Sequence, residues 1–396
     1  MKLAELRTFV VGNPRPGHGG RYFVFLTLTT DDGVVGVGEV YANTFHPTVV
    51  QLMIEDVFER HVAGADPFRV EELWRRVYAR GYTGRPDLSL VSVLSGIEMA
   101  CWDVVGKALD KPVYELLGGR VHERLRSYTY LYAEDGDPVD VYLDPGLAAE
   151  RAAAYADRGF TALKFDPAGA YSAFDPRQPS LEALDRCEAY VGAIRDAVGS
   201  RCDLLVGTHG QFTPSGAIRL ARRLERFDPL WLEEPVPPEH PEQMARVARA
   251  TTIPVATGER LTTKHEFARV LATGAAAILQ PNLGRMGGLL EAKKIAGMAE
   301  AHYAQIAPHL YSGPVLGAAN VQLAACSPNF LILEGILDWS GFHAEILRRP
   351  IEWEDGFVIP PSEPGLGVEL DEDVAAAHPY AGDDLHQAPL DDPFPG

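Results

Sequence analysis

The hydrophobic positions of this chain follow two different rhythms. In the first third, apolar residues alternate or run together in short stretches and then shift to helical spacing. Leu3 to Val11 reads as a strand, and Gly12 to Gly20 as a Gly/Pro-rich loop. Tyr22 to Thr30 and Val34 to Val40 are β-rich runs joined by Asp31-Asp32-Gly33, a hairpin signal. Helical patterns follow over Pro47 to Val62, Pro67 to Ala79 and Leu88 to Leu109. In the last of these Val91, Leu94, Ile97, Ala100, Cys101 and Val104 recur at helical spacing, and Pro112 ends the pattern. Residues 1–125 therefore predict an α+β domain, its helices buried against a small antiparallel sheet.

From about Arg126 the rhythm changes to short apolar runs separated by amphipathic segments. Eight candidate strands result: Ser127 to Ala133, Ala162 to Asp166, Asp203 to Gly207, Leu230 to Glu234, Pro254 to Gly258, Ala277 to Pro281, Gln305 to His309 and Leu331 to Gly335. Ser180 to Val198, Pro214 to Arg226 and Gly287 to His302 read as helices between them. Strands recurring roughly every 25 residues with helix between predict an α/β fold, a (β/α)₈ barrel over residues 126–338, with its chemistry at the strand C-termini. Residues 339–396 are expected to return to the first domain and help cap the barrel. From Asp371 onward the chain is acidic and Pro-rich, an ordered arm or a frayed tail.

Composition narrows the field. With 396 residues, 46% hydrophobic and 23% charged, the chain has the make-up of a globular protein with a sizeable core. Its net charge of −19 argues against nucleic acid and anionic membrane as partners. A small anionic substrate stays open, because a bound cation reverses the sign locally. Cys101, Cys187, Cys202 and Cys326 lack C-x-x-C spacing and read as reduced structural thiols. The opening MKLAELRTFV is too short in apolar run for a signal peptide, so the expected location is cytoplasmic.

The strand ends bring Lys164, Asp166, Gly207, His209, Glu233, Glu234, Glu259, Asn282, His309 and Glu334 to one rim. A rim Glu is commonly a solvated loop charge, and a lone His after a strand is commonly structural. Polar groups at the ends of strands two to eight, all together, are harder to explain that way. Glu233 and Glu259 on adjacent strands can converge, and hard oxygen donors without cysteine point to Mg²⁺ rather than zinc. Lys164 and His209 on one side and His309 on the other would flank a substrate with proton acceptors.

Several segments also resemble the enolase superfamily in its mandelate racemase and muconate lactonising branch. They are Ser95 to Gly119 (SGIEMACWDVVGKALDKPVYELLGG), LWLEEPVPPEH, IPVATGERL, ILQPNLGRMGG, IAPHLYSGP and DGFVIPPSEPGLGVEL, in that family's order. ALKFDPAG and THGQF look most like the gluconate and galactonate (acid-sugar) dehydratases. The resemblance implies a Mg²⁺-dependent hydro-lyase. It would remove the proton α to the carboxylate of an aldonate or aldarate and expel the 3-hydroxyl, giving a 2-keto-3-deoxy acid. It also implies Glu233 and Glu259 as metal ligands, His309 as base, His209 as acid and Glu334 as a hydrogen-bond partner of the substrate carboxylate. Lys164 takes the first position of the family's K-x-K and Asp166 the second. A homo-oligomer is expected on the same ground.

Two positions depart from that pattern. Gly207 stands where the family's first metal ligand is an acid, so Asp166 or water is expected to replace it. Asn282 stands where the family pairs an Asp with the strand-seven histidine; it can orient His309 but lends it no charge. These departures keep two alternatives in view, a racemase, epimerase or cycloisomerase on the same fold and a catalytically impaired sugar-acid-binding homologue. His18 in the Gly12 to Gly20 loop and Tyr82 in the Arg80 to Arg85 loop are expected to contact substrate from above.

Overall fold

A computed structural model describes residues 1–82, 84–134, 136–169 and 176–386. The first domain opens with strands β1 (Leu3–Gly12), β2 (Tyr22–Thr30) and β3 (Val35–Val40), an antiparallel sheet in sequence order. The β2–β3 connection turns at Asp31-Asp32-Gly33, where Gly33 takes φ +89° and Thr30 N–H donates to the Val34 carbonyl. Helices α1 (Pro47–Val57), α2 (Val70–Tyr78) and α3 (Leu88–Ala108) cover the sheet, and a short α4 (Val113–Leu116) follows.

Helix α3 is apolar nearly all round because it is surrounded on nearly all sides. The Asp87 side chain caps it, accepting from Ser89 and Leu90 N–H. By length and composition it could cross a membrane, yet 78% of its most apolar window is buried inside the fold. It rests directly on β3 because β3 offers no side chain there. A Cβ on Gly38 would come 2.0 Å from the Gly96 carbonyl oxygen, and one on Gly36 would come 2.2 Å from that of Ala100.

The second domain contains all eight expected strands, somewhat shorter than the apolar runs: β4 (Leu125–Tyr130), β5 (Ala162–Phe165), β6 (Asp203–Val206), β7 (Trp231–Glu233), β8 (Val255–Thr257), β9 (Ile278–Leu279), β10 (Gln305–Ile306) and β11 (Leu333–Glu334). They pair in parallel from β4 to β10, and β11 pairs with β4. The residues leading into β11 bridge to Ile306, which closes the ring. Helices α5 (Pro145–Asp157), α6 (Leu181–Val198), α7 (Pro214–Leu224), α8 (Pro241–Ala248), α9 (Thr263–Thr273), α10 (Gly288–Ala301) and α11 (Pro314–Ala325) form the outer layer. This is a (β/α)₈ barrel with an α+β cap.

The two domains are bound through buried carboxylates. Glu98 on α3 accepts from Leu289 and Leu290 N–H at the start of α10, and Glu39 on β3 accepts from Gly313 and Leu316 N–H at the start of α11. A helix N-terminus presents unpaired N–H groups and a positive dipole end, so each carboxylate satisfies donors that would otherwise be stranded.

After the barrel, Phe342 and His343 pack against Phe23 of the first domain. A hairpin, β12 (Trp353–Glu354) and β13 (Phe357–Val358), then adds antiparallel to β4, and the chain returns to the first domain, where Gly365 bridges to Pro112. Pro379 bridges to Val11, and Tyr380 N–H donates to the Val10 carbonyl. His386, near the end of the described arm, is buried. All four cysteines are buried and free.

Candidate active site

A cavity of about 870 Å³ lies where the strand C-termini meet the cap. Asp166, His209, Glu259 and His309 line it from the barrel; His18 and Arg21 line it from the β1–β2 loop; Tyr380 and His386 line it from the C-terminal arm. The strand-end residues singled out from sequence do converge, though at two different depths.

The deeper layer is a closed ionic cluster. Lys164 on β5 is fully buried, its Nζ 2.6 Å from Glu233 Oε1 and 3.4 Å from Glu334 Oε1. The ammonium also lies 4.8 Å from the centre of the Tyr130 ring. Burial works against the charge on Lys164, but the two carboxylates and the tyrosines outweigh it and hold the amine protonated. The other oxygen of Glu233 accepts from Trp231 Nε1 at 3.0 Å and Gln280 Nε2 at 2.8 Å. Burial raises the Glu334 carboxyl to about 7 against the pull of Lys164, and its second oxygen accepts the Leu310 N–H.

The upper layer faces the cavity. Glu259 Oε2 lies 3.1 Å from His309 Nε2 and has no hydrogen-bond partner. Burial opposes the charge on Glu259, but the surrounding histidines, Lys164 and Arg260 hold its carboxyl well below the usual range. Burial pushes His309 down to about 3 against the pull of Glu259. Asn282 Nδ2 is 2.8 Å from His309 Nδ1. Across the cavity, His209 Nδ1 is 3.7 Å from Asp166 Oδ2.

Gly207 explains how Asp166 comes to be here. A Cβ on Gly207 would lie 2.0 Å from Asp166 Oδ1, so the carboxylate of β5 fills the space that a side chain at the end of β6 would take. That oxygen is buried and has no hydrogen-bond partner among the described residues. Asp166 and Glu259 both line the cavity, and each keeps one buried oxygen without such a partner. Glu233, expected as a metal ligand, has its two oxygens in hydrogen bonds with Lys164, Trp231 and Gln280. Among the described residues no three His, Cys, Asp or Glu side chains form a metal-holding group. Two carboxylates still fit Mg²⁺, which characteristically takes one or two and fills its octahedron with water and substrate oxygens.

Of the residues expected from above, His18 reaches the cavity, stacked on Tyr132 with ring centroids 4.0 Å apart. Tyr82 does not. It sits on a 3₁₀ turn (Arg80–Tyr82) with its side chain fully exposed, away from the lining residues. Sequence reasoning also passed over Tyr130 and Tyr132, which alternation along SYTYLYA points to the same face. It passed over Gln280, Arg285 and His386 as well; the last had no local signal at all.

The fold and the rim define a barrel enzyme with a capping domain and a carboxylate- and histidine-lined cavity. Residues 17–118 match the family "Mandelate racemase / muconate lactonizing enzyme, N-terminal domain", and residues 147–374 match "Enolase C-terminal domain-like". The chain belongs to the enolase superfamily, in its mandelate racemase/muconate lactonizing branch. D-galactonate dehydratases of Variovorax paradoxus (strain S110) and Ralstonia nicotianae (strain ATCC BAA-1114 / GMI1000) are each 38% identical to it over 383 residues, covering 94% of this chain and 93% of theirs. The crystal structure of a mandelate racemase/muconate lactonizing enzyme from Sulfitobacter sp. is 53% identical, with a TM-score of 0.95 over 98% of both chains.

Proposed function

We propose that this protein is an acid-sugar dehydratase. It would take an aldonate or aldarate, remove the proton α to the carboxylate and release the 3-hydroxyl as water, leaving a 2-keto-3-deoxy acid. The observation that carries this reading is that two imidazoles, His209 and His309, line one cavity together with the carboxylate residues Asp166 and Glu259. The extended similarity to D-galactonate dehydratases supports it.

Mg²⁺, held by Glu259 and Asp166, would when bound supply positive charge for the substrate carboxylate and the negative charge that develops as the α-proton leaves. The protein's own residues divide the remaining tasks. The buried Lys164 ammonium adds fixed positive charge beneath the site, with Glu233 anchoring it. Glu334, fixed by Leu310 N–H and Lys164, would hold that ammonium in place below the substrate. His209 and His309 handle hydrogen on the two sides of the substrate. His18 and the polar cap residues suit a polyhydroxy chain.

Incubation with Mg²⁺ and a panel of aldonic and aldaric acids, followed by assay of 2-keto-3-deoxy products, tests the reading. At least one member should be dehydrated. Deuterium uptake from solvent at C2 without loss of water would point to a racemase or epimerase instead, and neither outcome with any member would sink the enzyme reading.

A further inference from the structure

The two cavity histidines differ in what holds their rings. An amide side chain has one accepting atom and one donating atom. In Asn282 the accepting atom is already claimed, since Oδ1 receives the Gly284 N–H at 3.0 Å. The NH₂ group is therefore the end that faces His309 Nδ1, at 2.8 Å. Turning the amide over would set NH₂ against the Gly284 N–H, donor to donor, at a fully buried residue. His309 cannot evade the contact, because Asn320 Nδ2 holds its carbonyl at 3.0 Å and Tyr41 stands beside the ring.

A ring nitrogen that accepts a hydrogen bond carries the lone pair, so the proton of a neutral imidazole sits on the other nitrogen. We propose that Asn282 is a positioning residue that fixes His309 in the Nε2–H tautomer, so that the ring offers the cavity a hydrogen-bond donor and not a base. Its Nε2 lies 3.1 Å from Glu259 Oε2. With substrate present it stabilises negative charge developing on a substrate oxygen, retaining its own proton throughout.

This reverses the role that family resemblance assigns to His309. Taking the α-proton then falls to the opposite wall, where His209 stands beside Asp166, and His209 returns that proton to the departing 3-hydroxyl, which leaves as water. The service to a sugar acid rests on the dehydratase reading; the tautomer itself does not.

The test is ¹⁵N NMR of the substrate-free protein labelled at histidine, with the His309 resonances identified by their loss in His309→Gln. Nδ1 should resonate as the unprotonated nitrogen and Nε2 as the protonated one. In Asn282→Asp the new carboxylate can only accept, so Nδ1 should become protonated. A wild-type ring protonated on Nδ1, or the same pattern in both proteins, overturns the proposal. The wild-type spectrum decides the tautomer even where Asn282→Asp fails to fold. Because no substrate is used, failure of every sugar acid to react would leave this result standing, and the reverse also holds.

Discussion

Asp166 and Gly207 condition each other. The aspartate needs the absence of a side chain at residue 207, since even a methyl group there would lie 2.0 Å from Oδ1. Gly207→Ala should therefore displace the Asp166 carboxylate and weaken Mg²⁺ binding. Asp166→Asn should weaken it too, each by at least the tenfold to hundredfold or so known for outer-shell partners of metal sites. Asp166→Gly combined with Gly207→Asp moves the acid to the neighbouring strand and should recover much of the affinity. Calorimetric titration with Mg²⁺ reads all three; unaltered affinity in Asp166→Asn would remove Asp166 from the site. Sequence raised Asp166 as a replacement for the missing acid, because both positions could be counted from strand ends. It did not reveal that Glu233 is taken up by Lys164, since that depends on which of several inward side chains reach the same depth.

Among the elements, the joints between cap and barrel carry a charge effect of their own. Glu39 and Glu98 cap helices α11 and α10, and burial raises both carboxyls to about 7 from 4.5. The folded protein then binds more protons than the unfolded chain between those values. This contribution to stability is complete below about pH 4.5 and falls as pH rises through about 7. Glu39→Gln and Glu98→Gln keep an acceptor and remove the titration, so each should flatten the decline. Urea midpoints measured across that window check it, and a slope identical to wild type would show that these carboxyls stay charged when folded. The eight strands were legible because a parallel barrel strand is buried on both faces and reads as an apolar run. The capping carboxylates were not legible, because the N–H groups they satisfy lie far away in sequence.

For the whole molecule, the deciding feature is how the chain ends fold over the barrel mouth. Gly20 in the β1–β2 loop takes φ +110°, and a Cβ there would stand 2.0 Å from the His386 ring. His386 in turn packs edge-on against Tyr22 and Tyr41, both at 5.3 Å. The arm and the loop thus build the cavity roof together. Gly20→Ala should lift the arm, raising KM for the accepted sugar acid about tenfold with a smaller change in kcat, as expected when uniform binding contacts are lost. An unchanged KM would place the arm outside substrate recognition.

The amino-acid pattern by itself determined the barrel, its cap and the identity of most rim residues, because hydrophobic periodicity and strand-end position are local properties. It left open where the C-terminal arm lies, and Tyr82, expected to contact substrate, is an exposed side chain outside the cavity lining. Only the tertiary structure decided which carboxylates face the cavity, which are consumed in the buried Lys164 cluster and which atom of Asn282 faces His309. Those outcomes depend on who meets whom across the barrel. Each is settled by the requirement that every buried donor, acceptor and charge find a partner among residues distant in the chain.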